Sequence, residues 1–480
     1  MDRTLTSNLR QVWWGMVAFS AATLSFTLIF AYVLPLTAGR MSQRSVALMD
    51  RLPHWAFLAK HRSPALDDPH SVAAIILLGA GLGLAACLFG VIATWGRTDR
   101  RIRRWILGVS IACMFLTVLA PPTMNTNPYN YMMRARVAAA HDANPYVTPA
   151  DEFPNDPFMD FANQAYTDTA GGKLPGWMVW NVAVAWVAQG DVALNLVLLR
   201  FLLFLMGVGC LFLLNAICLR TCPEHALAAL VLWGWNPIMI ANIQSRTDTV
   251  MVFYLLLGMW LLTRGHRRWA VVPLTLSVFV KIFTVPFLVV AILADARAKR
   301  WREIGVAVVV CLATAVAVWL PFQEGLDGSL AARYLGLANQ TDGSAGTSTS
   351  RLLLQIAFAG LVFAVGWTRR DLGRNLYLGW AIVSLYFSLF FAKFASSDYL
   401  LTLLAVTAPV MSVPILMLAG ALCVSFFLFD LWYLVGSSSF VLPDLFPFSP
   451  RAVFLLPVAA LPLVALLIKV RRRFGRTASR

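Results

Sequence analysis

Apolar residues along this 480-residue chain come in long unbroken runs, without the one-faced stripe of a soluble helix or the alternation of a half-buried strand. Runs near spanning length fall at residues 12–36, 72–95, 105–120, 194–219, 226–243, 250–262, 304–320, 352–367, 376–392, 399–413, 416–434 and 452–470. The pattern predicts an all-α fold, a polytopic transmembrane helical bundle of about 12–14 spans.

Two runs break the rhythm. Residues 177–189 are apolar but cover only roughly 20 Å as a helix, short of the ~30 Å hydrocarbon core. They read as a helix at the outer interface, with Trp177, Trp180 and Trp186 at headgroup depth. Residues 269–295 hold Lys281 and Pro286 near their middle and are basic on both flanks, which predicts a re-entrant pair of half-helices.

The polar positions concentrate in residues 124–175. This segment carries Asp142, Asp151, Glu152, Asp156, Asp160 and Asp168 against Arg134, Arg136 and Lys173. Connections between spans are usually short, so a long, polar, aromatic-rich one marks the place to look for function. Within it, residues 132–141 predict a short helix that ends ahead of Asn144-Pro145, because a residue before proline avoids the helical region.

Composition agrees with the membrane reading: 59% of residues are hydrophobic and 13% charged, which excludes a soluble globular fold. The net charge of +16 does not signal nucleic acid. Its basic clusters, at residues 97–104, 264–268, 297–302, 369–374 and 469–480, each lie beside a span, as cytoplasmic topology signals do. They place both termini in the cytoplasm of an inner-membrane protein and the 124–175 and 321–350 loops outside. Residues 39–71 run against the rule, since this outer segment is itself basic. The first run follows a basic start and is too long for a cleaved signal, so it reads as an anchor. Three regions follow: two N-terminal helices over 1–104, a core over 105–320 with the 124–175 loop and the 269–295 segment, and C-terminal helices over 321–480.

The seven cysteines lie in or near spans with no metal-ligand spacing, and read as small hydrophobes. No tight acidic pair suggests a metal, so none is expected, nor any cofactor. Candidate chemistry rests on other residues. Asn127, Tyr129, Tyr131, Asn144 and Tyr146 are amides and rings of the kind that contact sugars, and Arg134 and Arg136 sit among them. Asp248 stands at the mouth of the 250–262 span, as a helix cap or a functional carboxylate, with Arg246 beside it. Lys281 is costly at membrane depth unless it snorkels or serves a function. Arg351 faces the same compartment, as do Arg333, Lys393 and Asp398.

In order, the chain reads Asn127-Pro128-Tyr129-Asn130-Tyr131, Ala135-Arg136-Val137, Asn144-Pro145-Tyr146, Leu174-Pro175-Gly176, Trp235-Asn236-Pro237, Ser245-Arg246-Thr247-Asp248, Val280-Lys281 with Pro286 following, and Pro321-Phe322. This collinear series, over about residues 120–410, resembles the GT-C superfamily of integral-membrane glycosyltransferases, especially bacterial polyprenyl-phosphate-mannose-dependent mannosyltransferases. The two N-terminal helices would be an addition to that core. The resemblance implies transfer of a hexose, most simply mannose, from a polyprenyl-phosphate-linked donor to a glycan, lipid or protein acceptor at the outer face. It implies membrane lipids as surroundings, Asp142 or Asp248 as base, and Arg134, Arg136, Arg246 or Lys281 as phosphate clamp. One position departs: the presumed catalytic aspartate of that group is Asn127 here, and an amide cannot accept a proton. Another carboxylate then substitutes (Asp142 first, beside the Asn-Pro-Tyr motif), or no protein base is needed, or the fold is kept without the activity. A non-enzymatic translocator of lipid-linked glycan is the competing reading; it requires a polar path through both leaflets.

Overall fold

The computed structural model describes residues 3–33, 48, 52, 60, 68–120, 127–162, 166–171, 173–243, 246–323, 349–368, 374–390, 400–413, 415–417 and 419–424. These residues are helical, with no strand among them. In chain order the helices are α1 (Arg3–Leu28), α2 (Pro69–Thr94), α3 (Arg100–Leu119), α4 (Asn127–His141), α5 (Pro175–Ala188), α6 (Val192–Thr221), α7 (Ala226–Gly234) and α8 (Pro237–Asn242). They continue with α9 (Asp248–Thr263), α10 (Arg267–Val280), α11 (Val285–Arg297), α12 (Trp301–Trp319), α13 (Thr349–Thr368), α14 (Arg374–Phe390) and α15 (Leu400–Thr407). The predicted run at 452–470 lies outside the described residues.

Local sequence sets the helix ends. Asp99 accepts from the Arg101 and Ile102 amides to start α3, and Asp191 accepts from Ala193 and Leu194 to start α6. Pro175 opens α5, where its missing N–H costs nothing. The helix closes on Gln189 and Gly190, both at positive φ.

Five helical segments among the described residues are long and apolar enough to cross a membrane: Val12–Val33, Leu77–Thr94, Arg100–Leu119, Val192–Thr221 and Trp301–Phe322. Helix α6 illustrates how such a segment divides its faces. It buries Asn195, Leu199, Arg200, Leu203, Cys210, Leu211 and Leu214, and exposes Leu194, Val197, Phe201, Leu205 and Phe212. An apolar face turned outward has no soluble counterpart on this scale, and it identifies the surface that meets lipid.

The run at 226–243, read as one span, is two helices. Asn236 precedes a proline and leaves the helical region, and its side chain caps α8 by accepting from the Ile238 amide at 3.0 Å. Helix α15 likewise ends at Thr407, earlier than the 399–413 run suggests. The N-terminal helices are part of the body: α1 packs on α2 and α3, and α2 packs on α7.

Around the site, α9 packs against α6 and α10, and α5 bridges α4, α6 and α10. Gly176 at the start of α5 lies against Phe279 of α10, so closely that an added Cβ would stand 2.7 Å from the Phe279 carbonyl carbon. The approach seats the end of the 124–175 segment on the last turn before Lys281.

Candidate active site

Helix α10 stops at Val280. Lys281 adopts an extended conformation (φ −149°, ψ 130°), a short 3₁₀ turn covers Ile282–Thr284, and α11 resumes with Pro286 in its first turn. The break turns Lys281 inward. Its Nζ donates to both carboxylate oxygens of Asp248, each at 2.7 Å, and lies 5.7 Å from the centre of the Phe283 ring. The two side chains are 12% and 1% exposed, so this is a buried ion pair. The N-cap of α9 is Thr247, and Asp248 stands inside the first turn. Both the capping and the snorkelling alternatives give way to this pairing, because a carboxylate and an ammonium removed from water are costly unless they meet.

The pair's surroundings are cross-braced. Ser277 Oγ donates to the Met251 carbonyl at 2.8 Å, tying α10 to α9, and Trp180 Nε1 donates to the Tyr254 hydroxyl at 2.8 Å, tying α5 to α9. Arg246 is half-buried two residues before Asp248, with its amide donating to the Asn242 carbonyl.

The candidates of the 124–175 segment take other places. Helix α4 begins at Asn127, earlier than the 132–141 helix read from the sequence, with Pro128 in its first turn. Tyr129 is buried against Phe161, with ring centres 6.1 Å apart. Tyr131 is buried edge-on to Trp177, and its carbonyl accepts from the buried Asn181 amide. These rings and Tyr146 face protein, not an open sugar surface. Trp177 is buried too, whereas Trp186 of the same helix is 74% exposed; of the expected row of three tryptophans only Trp186 is exposed.

Asn144 Nδ2 donates to the Phe322 carbonyl at 3.0 Å, and Tyr146 packs on Trp319 and Phe322. The Asn-Pro-Tyr and Pro-Phe motifs therefore meet, joining the 124–175 segment to the end of α12. Arg134 donates to the Tyr166 carbonyl at 3.2 Å. Asp142 is exposed and sits at φ 49° just past α4, where the Ala143 amide donates to the Val137 carbonyl. That is the geometry of a left-handed helix terminator. The side chain of Arg351 lies outside the described residues.

Three groups escaped the sequence reading. Asp156 is buried and accepts from Arg136 Nε and Nη2 at 3.1 and 2.8 Å, from His141 Nε2 at 2.8 Å, and from the Phe158 amide at 2.9 Å. Burial alone would raise its pKa, but the hydrogen bonds from Arg136, the Phe158 amide and His141 outweigh it and hold the carboxyl below its ordinary value. His141 also stacks on Phe153, with ring centres 4.0 Å apart. Arg200, in the third turn of α6, is buried and donates to the carbonyls of Thr117 and Ala120 at the end of α3. A charge inside the 194–219 run was a legible signal for Arg200.

The family model of the alpha-(1->6)-mannopyranosyltransferase N-terminal domain matches residues 10–297. The match takes in α1 and α2 together with α4 and the Asp248–Lys281 pair. No curated protein and no solved structure matches the chain. The helical membrane architecture and a family match over well over half the sequence agree, and the chain belongs to the alpha-(1->6)-mannopyranosyltransferase family.

Proposed function

We propose that this protein transfers mannose from a polyprenyl-phosphate-linked donor to a hydroxyl of a glycan, lipid or protein acceptor at the outer face of a bacterial inner membrane, with both chain termini in the cytoplasm. The observation that carries the reading is the buried Lys281–Asp248 pair at the helix break. A lysine held by a carboxylate in a dry joint is poised to exchange that partner for a phosphate oxygen. On donor binding, the Lys281 ammonium moves to the phosphate and Asp248 is released to accept a proton. The acceptor oxygen then forms its bond to the anomeric carbon, and the bond from that carbon to the phosphate oxygen breaks. The electron pair leaves with the phosphate, stabilised by Lys281, and the acceptor proton passes to Asp248. Arg246, two residues away, is a second cation for the same phosphate. In this scheme Asn127 needs no substitute in its own loop, because the base comes from α9. Asp142, exposed at a helix end, is the secondary candidate.

The test is donor binding by the purified full chain. Lys281→Met should weaken binding of polyprenyl-phosphate-mannose by about tenfold or more, the scale of one charge-assisted contact. Unchanged donor affinity in a folded Lys281→Met protein would sink the assignment.

A further inference from the structure

Helices α4 and α5 leave an open groove of about 620 Å³ between them, lined by Arg136, Ala139 and Ala140 on one side and Ala185, Trp186, Val187 and Gln189 on the other. It lies toward the far end of α5 from Gly176, roughly 15 Å of helix axis away from the contact that adjoins Lys281. The proposed donor site and this groove are therefore separate places.

Arg136 is held there with little freedom. Its Nε and Nη2 are committed to Asp156, and its guanidinium carbon lies 4.9 Å from the centre of the Phe158 ring. The remaining nitrogen, Nη1, points past Gly190, where an added Cβ would stand 3.6 Å from it. A guanidinium fixed on one edge and one face offers its last N–H groups in a set direction, so little rotamer freedom is lost when an acceptor arrives. The small side chains of Ala139, Ala140 and Ala185 leave the room.

The groove's neighbours say what kind of acceptor fits. Along α5, Val179, Trp186 and Val187 are 39%, 74% and 63% exposed, an apolar strip left open among the described residues. In a membrane protein such a strip meets acyl chains, and an exposed tryptophan beside it marks headgroup depth. A directed cation at the edge of an acyl-facing strip matches a molecule with a phosphate at one end and hydrocarbon at the other.

We infer that the α4–α5 groove binds the phosphate of a membrane lipid through Arg136 Nη1, with its acyl chains along Trp186 and Val187, at a site apart from the Lys281–Asp248 pair. Native mass spectrometry of the full chain in neutral detergent tests this, with phosphatidylglycerol as the lipid probe, diacylglycerol as the same chains without phosphate, and inorganic phosphate as competitor. Phosphatidylglycerol should be retained and diacylglycerol should not. Gln189→Glu, which adds a repelling charge, and Ala140→Trp, which fills the groove, should each weaken retention by about tenfold without touching the Arg136–Asp156 contact. Trp269→Ala, at another exposed tryptophan, should leave retention unchanged, and both groove variants should keep wild-type affinity for polyprenyl-phosphate-mannose, so failure here is distinguishable from failure at the donor site. Equal retention by both groove variants, equal retention of diacylglycerol, or full displacement by an equal concentration of inorganic phosphate would each overturn the lipid-phosphate assignment. Hydrogen exchange over residues 150–162 checks that the variants keep the loop folded.

Discussion

Among the described residues two carboxylates are buried, Asp156 and Asp248, and they are built to opposite ends. Asp156 is gripped by donors from Arg136, His141 and the Phe158 amide, with rings of Phe153 and Phe158 covering its partners. Asp248 meets the tip of a lysine that reaches it from an interrupted helix. An arginine fork that satisfies a carboxylate in two places is hard to exchange, whereas a lysine ammonium is a compact point charge on a flexible stem. The first arrangement staples a loop; the second can let go. Burial and charge alone do not separate a structural ion pair from a working one; a rigid fork against a flexible ammonium does.

Breaking each pair should give different signatures. Lys281→Met should lower mannosyl transfer by about 10²–10³, the cost of removing one preorganised stabiliser of developing charge. The same change strands a buried carboxylate and should cost about 3–5 kcal/mol of stability. Adding Asp248→Leu should recover most of that stability and none of the transfer, a pattern readable from melting curves beside a transfer assay. Asp156→Asn is the counterpart. It should loosen residues 150–162 by about 3 kcal/mol in hydrogen exchange, leaving the half-buried Arg136 without its counter-charge.

Acidity sharpens the contrast. The Asp156 carboxyl is held below its ordinary value of 3.8, so the folded state binds this proton less readily than the unfolded chain does. Its stabilisation is complete above the ordinary aspartate range and is lost as pH falls through the lower folded value. Exchange protection of the loop should therefore be flat from neutral pH down to about 5 and fail only in stronger acid. The Asp156→Asn protein should lack that acid step.

Smaller effects test the periphery. Asn144→Ala removes the bond to the Phe322 carbonyl and should cost about 1 kcal/mol, seen as faster exchange at the α12 end. Asp142→Gly should be neutral or slightly stabilising, because glycine suits the left-handed backbone at φ 49°. A large loss of transfer in Asp142→Gly would instead make Asp142 a chemical group and demote Asp248.

Much of this was legible in the chain. Lys281 stood out because an ammonium inside an apolar run is expensive, and the break around it followed from the same run's proline and basic flanks. Asp248 stood out as a carboxylate at a span's mouth. What the pattern could not supply was that the two meet, since 33 residues and a helical hairpin separate them. Asp156 was one acid among six in the loop, and nothing local distinguishes a carboxylate that finds an arginine from one that faces water. The burial of the tyrosines was illegible for a related reason: an aromatic-rich loop can display rings to a sugar or bury them in its own core, and composition reads alike for both. The 226–243 run looked continuous because hydropathy is blind to a cap, although Asn236-Pro237 carried the signal.

The most direct measurement is the turnover of polyprenyl-phosphate-mannose by purified Lys281→Met/Asp248→Leu protein whose melting temperature matches the wild type. If the pair is the site of phosphate clamping and proton acceptance, this protein is folded and transfers no mannose above background. Turnover near the wild-type rate would show that the pair only holds α9 to α10, and that the chemistry lies elsewhere.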